Sequence, residues 1–139
     1  MTVEEIFNKI IVHMEEGLVY HGEFIKAYSF LGLWGYVKCQ EYHYYEEMLN
    51  YRQFEHYYMT HYFKLLNSEL KEKKEIFPSS WYKYSAQAVD VGTKRSGVKD
   101  LMAKWIEWEK ETKKLYEEMY LELTNLREVA AAIKLQKYI

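Results

Sequence analysis

The chain has 139 residues, the size of one domain, and a domain of this size buries enough surface to fold without cross-links. Nineteen basic and twenty-one acidic residues give a formal charge of −2, so no overall field draws the protein to nucleic acid or to anionic lipid. A single cysteine favours a reducing compartment. The N-terminus is acidic and no long apolar run occurs. With the single cysteine, these features predict a cytoplasmic protein with no membrane partner.

One proline and six glycines leave few turns, so we expect a single all-α domain over residues 1–139. The first predicted helix covers residues 3–32. Thr2 and Glu5 have the spacing of a capping box. An apolar stripe with alternating steps of three and four follows: Val3, Phe7, Ile10, Met14, Gly17, His21, Phe24, Tyr28 and Leu31.

Gly32 and Gly35 predict a tight turn, after which a second helix over residues 36–74 runs antiparallel to the first. Its predicted inward stripe is Val37, Glu41, Tyr44, Met48, Tyr51, Glu55, Tyr58, Tyr62 and Leu65.

Residues 42–63 of this helix hold seven of the fifteen tyrosines, three of the five histidines and three glutamates. A tyrosine ring packs as an apolar group while its hydroxyl reaches a polar partner or water. A core with hydrated edges is the favoured interpretation. A metal site and an aromatic recognition surface are the alternatives.

The periodicity then lapses, and we expect a long connection with a short helix over residues 79–88. Ser96 is the predicted N-cap of a third long helix over 97–124. Its face is Leu101, Trp105, Trp108, Thr112, Leu115 and Met119, with Met102, Ile106, Glu109, Tyr116 and Leu123 beside it.

The basic residues of 93–99 and the aromatic residues of 81–84 form a mixture that can hold single-stranded nucleic acid. On an acidic protein such a short basic run is more typical of a solvated loop, so nucleic acid is not an expected partner.

Asn125 and Glu128 have the spacing of another capping box, which predicts a break at 124–126 and a fourth helix. One continuous helix is the alternative. The predicted inward face of the fourth helix is Leu126, Val129 and Ile133.

The predicted order of elements resembles the ferritin-like up-and-down four-helix bundle, especially the DNA-protecting starvation ferritins. That order is two long helices, a long crossover with a short helix inside it, a third long helix and a fourth helix. In members with a di-iron centre, glutamates come from the first and third helices and a Glu-x-x-His pair comes from each of the other two. No Glu-x-x-His occurs in this chain, since Tyr44 follows Glu41 and Tyr58 follows Glu55 at that spacing. The resemblance therefore implies the fold without its iron chemistry.

Counting outward from the first turn places His21 level with Glu47, and Glu109 lies near the same level if the crossover makes the second and third helices parallel. One imidazole and two carboxylates are ligands for a divalent transition metal such as iron or manganese, with Glu23 as a fourth candidate. The alternative is a hydrogen-bonded core histidine beside two solvated glutamates, and this is the favoured interpretation. No cofactor is expected on that interpretation.

Glu55 is a further metal candidate because it falls between Tyr51 and Tyr58 on the predicted inward stripe. A buried carboxylate needs a partner. His13 or tyrosine hydroxyls are the expected partners.

We therefore expect a non-catalytic bundle that acts as a homo-oligomer or by binding another protein. A divergent ferritin-like metal-binding protein is the alternative.

Overall fold

The computed structural model describes residues 1–64 and 89–139. Four helices, α1 (Val3–Phe30), α2 (Trp34–Tyr62), α3 (Val91–Asn125) and α4 (Val129–Gln136), make up 87% of these residues, and no strand occurs among them. The predicted all-α class is confirmed. The short helix predicted over 79–88 lies outside the described residues.

α1 is the central helix of the fold. Twelve of its 28 residues are buried, against four of 29 in α2, and α1 packs against both α2 and α3. Its predicted stripe is buried throughout except at half-buried Val3. The predicted cap also forms, because Thr2 Oγ1 accepts a hydrogen bond from the Glu5 amide at 3.1 Å. A single uninterrupted apolar stripe thus makes α1 the core of the bundle.

The turn between α1 and α2 depends on a glycine. Gly32 has φ of 70°, in the left-handed region that glycine enters without steric cost. The Leu33 amide donates to the Tyr28 carbonyl at 3.0 Å and satisfies the end of α1. α2 then begins at Trp34, two residues earlier than predicted, and runs antiparallel to α1.

The contacts of α3 give its direction. His13 contacts Thr112, and Gly17 contacts Trp108, so positions that rise along α1 fall along α3. α3 is therefore antiparallel to α1 and parallel to α2, the direction expected from the sequence.

The inward face of α2 differs from the prediction. The buried residues are Val37, Gln40, Phe54 and Tyr58. The predicted positions Glu41, Met48 and Glu55 lie on the flank of the helix. The sequence alone does not decide this, because rows 37-40-44-47-51-54-58 and 37-41-44-48-51-55-58 fit a helical period equally well. Phe54 decides between them, since its ring stacks on Phe7 with centroids 4.9 Å apart.

α2 ends at Tyr62, and the prediction that it runs to residue 74 is wrong. Phe63 takes a left-handed conformation with φ of 55°. At this level α1 begins: the Lys64 ammonium lies 3.8 Å from the Glu4 carboxylate. A longer α2 has no α1 surface left to pack against, and packing supplies most of a helix's stability.

α3 begins six residues before the predicted start. Asp90, not Ser96, is the N-cap, and its carboxylate accepts a hydrogen bond from the Thr93 amide at 2.7 Å. The basic run 93–99 therefore lies in the first turns of α3 and not in a loop. The aromatic residues 81–84 lie outside the described residues.

The predicted break after α3 is confirmed, with Arg127 at φ of 62°. The predicted capping box is not formed: the Glu128 side chain caps no amide and instead accepts a hydrogen bond from the Tyr62 hydroxyl at 2.9 Å. α4 buries Ala131, Ala132 and Leu135, and Val129 and Ile133 are exposed. Its inward face is thus opposite to the predicted one, because small alanines let the helix approach the core closely.

We predict opposite effects for alanine at two glycines of α1. A Cβ at Gly17 lies 3.2 Å from Cζ2 of the buried Trp108, whereas a Cβ at Gly22 meets nothing within 4 Å. Gly22→Ala should raise the free energy of unfolding by about 0.5–1 kcal/mol through helix propensity. Gly17→Ala should lower it, because overpacking costs about 1–3 kcal/mol and exceeds that gain. Denaturant melts of both variants measure this, and equal stabilisation would contradict the α1–α3 packing.

Candidate functional site

His21 is a buried histidine with one satisfied ring nitrogen. Its side chain is 1% exposed, and Nδ1 lies 3.0 Å from the Gln40 amide oxygen. Because that oxygen accepts, Nδ1 carries the proton and Nε2 keeps its lone pair. Nε2 is buried and has no hydrogen-bond partner in the described structure. Burial lowers the pKa of His21, against the opposing effects of Gln40 and the Glu109 charge, so the ring is neutral.

His43 connects this histidine to α3. Its ring centroid lies 6.4 Å from that of His21 and 4.8 Å from that of Trp105. Trp105 in turn donates from Nε1 to the Glu109 carboxylate at 3.0 Å. The side chains of all three long helices therefore meet around His21.

Glu47 completes this group, which we call the polar cluster: His21, Gln40, His43, Glu47 and Glu109. Burial raises the pKa of Glu47 to about 7, and the charges of Glu109 and Glu46 add to the effect. Burial also raises the pKa of Tyr116, again with contributions from Glu47 and Glu109. The charges of Glu47 on α2 and Glu109 on α3 thus act on the same tyrosine and on each other, and protonating Glu47 relieves their repulsion.

The predicted metal ligands are coupled electrostatically in pairs, His21 with Glu109 and Glu47 with Glu109. Within residues 1–64 and 89–139, however, no three histidine, cysteine, aspartate or glutamate side chains form a group that could hold a metal ion. The fourth candidate, Glu23, is buried and forms an ion pair with Lys26 at 3.3 Å. As placed, the side chains do not fit a metal centre.

Glu55 lies apart from the polar cluster. Its carboxylate accepts a hydrogen bond from the Tyr51 hydroxyl at 3.0 Å and lies 3.7 Å from the Arg52 guanidinium. Of its two expected partners the tyrosine is present and His13 is not, because His13 bonds to Thr112 and stacks on Trp108. Glu55 is a flank residue with local partners.

The tyrosines of the second half of α2, Tyr51, Tyr57, Tyr58 and Tyr62, bridge the core and its polar edge. The Tyr51 hydroxyl also reaches the Glu15 carboxylate at 2.8 Å, so it connects α1 to α2. Burial and the neighbouring carboxylates raise its pKa, and the same causes raise the pKa of Tyr62 beside Glu128. These phenols stay protonated and serve as donors. The predicted core with hydrated edges describes residues 51–62, whereas Tyr42 and Tyr45 are exposed.

Two members of the polar cluster were missed from the sequence. Gln40 and His43 precede Glu47 by seven and four residues, which places all three on one side of a helix. That spacing was the available signal.

Comparison of the chain with known protein families, with curated proteins and with solved structures finds no match. Among the described residues, no helix is both long enough and apolar enough to span a bilayer.

We predict that Glu47→Gln changes how stability depends on pH. Since folding raises the pKa of this carboxyl to about 7, its stabilising effect is complete below about pH 4.5 and is lost as the pH rises through 7. Glutamine does not titrate. The variant should therefore gain stability over the parent between pH 5 and pH 8, by about 1–3 kcal/mol.

The matched control is Glu118→Gln, at an exposed position of α3. Urea melts at several pH values give the free energy of unfolding of each variant relative to the parent. This difference should be independent of pH for the control and should grow with pH for Glu47→Gln. A constant difference for both would show that Glu47 is not buried.

Proposed function

We propose that the protein is a non-catalytic helical bundle that works by associating with another protein chain through the exposed side of α2. The observation that supports this proposal is the exposure of the middle of α2. Between Gln40 and Phe54 every residue of the helix is half-buried or exposed, although this part contains four tyrosines.

The exposed side chains of this segment are large and apolar. Trp34, Tyr42, Tyr45 and Leu49 are 57–69% exposed, and Met48 lies beside them. At 3.6 residues per turn these five positions fall within about 120° of the helix circumference. Single exposed apolar residues are ordinary, but a contiguous group of aromatic residues is typical of an interface.

The helix order supports a ferritin-like bundle with an incomplete fourth position. α1 and α2 form an antiparallel pair, a long connection follows, and α3 is parallel to α2. α4 has only 8 residues against the 28–35 of the others, so it covers one end of the bundle. The chain lacks every Glu-x-x-His pair, and so we propose no iron oxidation.

The second candidate function is binding of a divalent metal such as iron or manganese. One observation favours it: the unpartnered Nε2 of the buried His21 points to a missing polar partner. The lack of a three-residue ligand group in the described structure weighs against it.

We expect iron, manganese and zinc to leave the melting temperature unchanged, because a ligand that binds only the folded state would raise it. His21→Ala should then cost only packing and one hydrogen bond, about 1–3 kcal/mol. A metal-dependent rise in melting temperature that His21→Ala abolishes would instead establish the metal function. Thermal melts with each ion measure this.

The association itself is tested by a matched pair of substitutions. We expect light scattering of the purified protein to give a mass above the 17.0 kDa of one chain, or a stable complex with a partner. Leu49→Glu should weaken that association, whereas Leu121→Glu, at an equally exposed position of α3, should not. A monodisperse monomer that binds no partner would contradict the proposal.

A further inference from the structure

We infer that the partner of α2 is a second copy of this chain, paired antiparallel to it about a two-fold axis between Tyr45 and Met48. This inference rests on the proposed association through α2 and adds the partner and its register. It follows from a second row of residues on the flank of the helix.

The row, which we call the outer stripe, has alternating steps of four and three along nearly the whole of α2. Its members are exposed at five positions and half-buried at Glu41, Glu55 and Met59. They are Trp34, Lys38, Glu41, Tyr45, Met48, Arg52, Glu55 and Met59. Steps of four and three mark the seam along which two helices pair.

The stripe is self-complementary when a second α2 runs in the opposite direction. Trp34 then meets Met59 of the second copy, and Tyr45 meets Met48. Between these apolar layers Lys38 meets Glu55 and Glu41 meets Arg52. By symmetry each pairing occurs twice. The interface thus combines apolar contacts with pairs of opposite charge, and no two like charges meet.

Other arrangements lose this match. Parallel, in-register pairing sets Lys38 on Lys38 and Glu41 on Glu41, and like charges across an interface repel each other and weaken the complex. Sliding the antiparallel pair by seven residues in one direction sets Arg52 on Trp34, and sliding it in the other sets Glu55 on Tyr45. Charges at such positions reduce affinity but specify register and orientation.

The chain leaves Lys38, Glu41 and the exposed Arg52 available for a second copy, while Glu55 also accepts a hydrogen bond from Tyr51. Glu41 and Lys38 have no partner among the described residues. Arg52 approaches Glu55 at 3.7 Å, yet its side chain is 70% exposed. The overlap from Trp34 to Met59 is about 39 Å long at 1.5 Å per residue, the length of a substantial helix pair.

Charge exchange across the two-fold axis tests the register. Glu41→Arg sets arginine against Arg52 of the second copy, and Arg52→Glu sets glutamate against Glu41. Each variant alone should raise the dimer dissociation constant at least about tenfold. An equimolar mixture of the two variants restores both opposite-charge pairs, so its dissociation constant should return to within about threefold of the parent value. Sedimentation velocity over a range of concentrations measures all three.

Glu46→Arg is the matched control, because Glu46 is exposed on α2 but lies off the outer stripe. It should leave the dimer intact, and circular dichroism melts confirm that every variant folds. If the parent dimerises and the two single variants dimerise as well, or if their mixture stays monomeric, the register is wrong while the proposed association stands. If the parent is a monomer that binds no partner, both fall.

Discussion

The close contact between α1 and α3 at Gly17 sets the geometry of the rest of the protein. A Cβ at Gly17 would lie 3.2 Å from the Trp108 ring, closer than an ordinary van der Waals contact, so glycine lets the indole approach α1 without strain. His13 stacks on the same indole, with centroids 4.3 Å apart and planes at 2°, and its Nε2 lies 2.7 Å from Thr112 Oγ1. These contacts fix the register of α3. One turn on either side of Trp108, Trp105 and Thr112 take their positions from it.

That register brings titratable side chains of three helices together at the polar cluster, where burial disfavours their charged forms. Trp105 and Glu109 follow from the position of Trp108, and they face His43 and Glu47 of α2. A neutral histidine and a carboxyl with a pKa of about 7 result from burial. Its two most buried titratable groups, His21 and Glu47, are therefore uncharged and half-charged at neutral pH, which is how a small helical core tolerates them.

How far the sequence predicts this structure depends on how many faces of each helix are apolar. α1 has one apolar stripe, and its position, cap and buried face were all predictable. α2 has two rows that fit a helical period equally well. Choosing the row of Glu41, Met48 and Glu55 over that of Gln40, Glu47 and Phe54 misplaced Glu55 and left Gln40 unrecognised. His21, Glu47 and Glu109 were still placed in one region, because an antiparallel pair with a short turn fixes which residues are level. The ends of α2 and the start of α3 were missed since they depend on tertiary contacts, which local propensity does not carry.

The misassigned row of α2 has an explanation in the proposed dimer. Glu41, Met48 and Glu55 repeat with the period of buried residues but lie on the flank of the monomer. In the antiparallel pair, each of them meets a residue of the second copy: arginine, tyrosine and lysine, respectively. A helix that packs on α1 with one row and on a copy of itself with another needs two contact faces. Its fully solvated residues are then confined to a narrow part of its circumference. The tyrosine-rich sequence of α2 suits this requirement, because a tyrosine offers an apolar ring to one neighbour and a hydroxyl to a carboxylate or water at the edge.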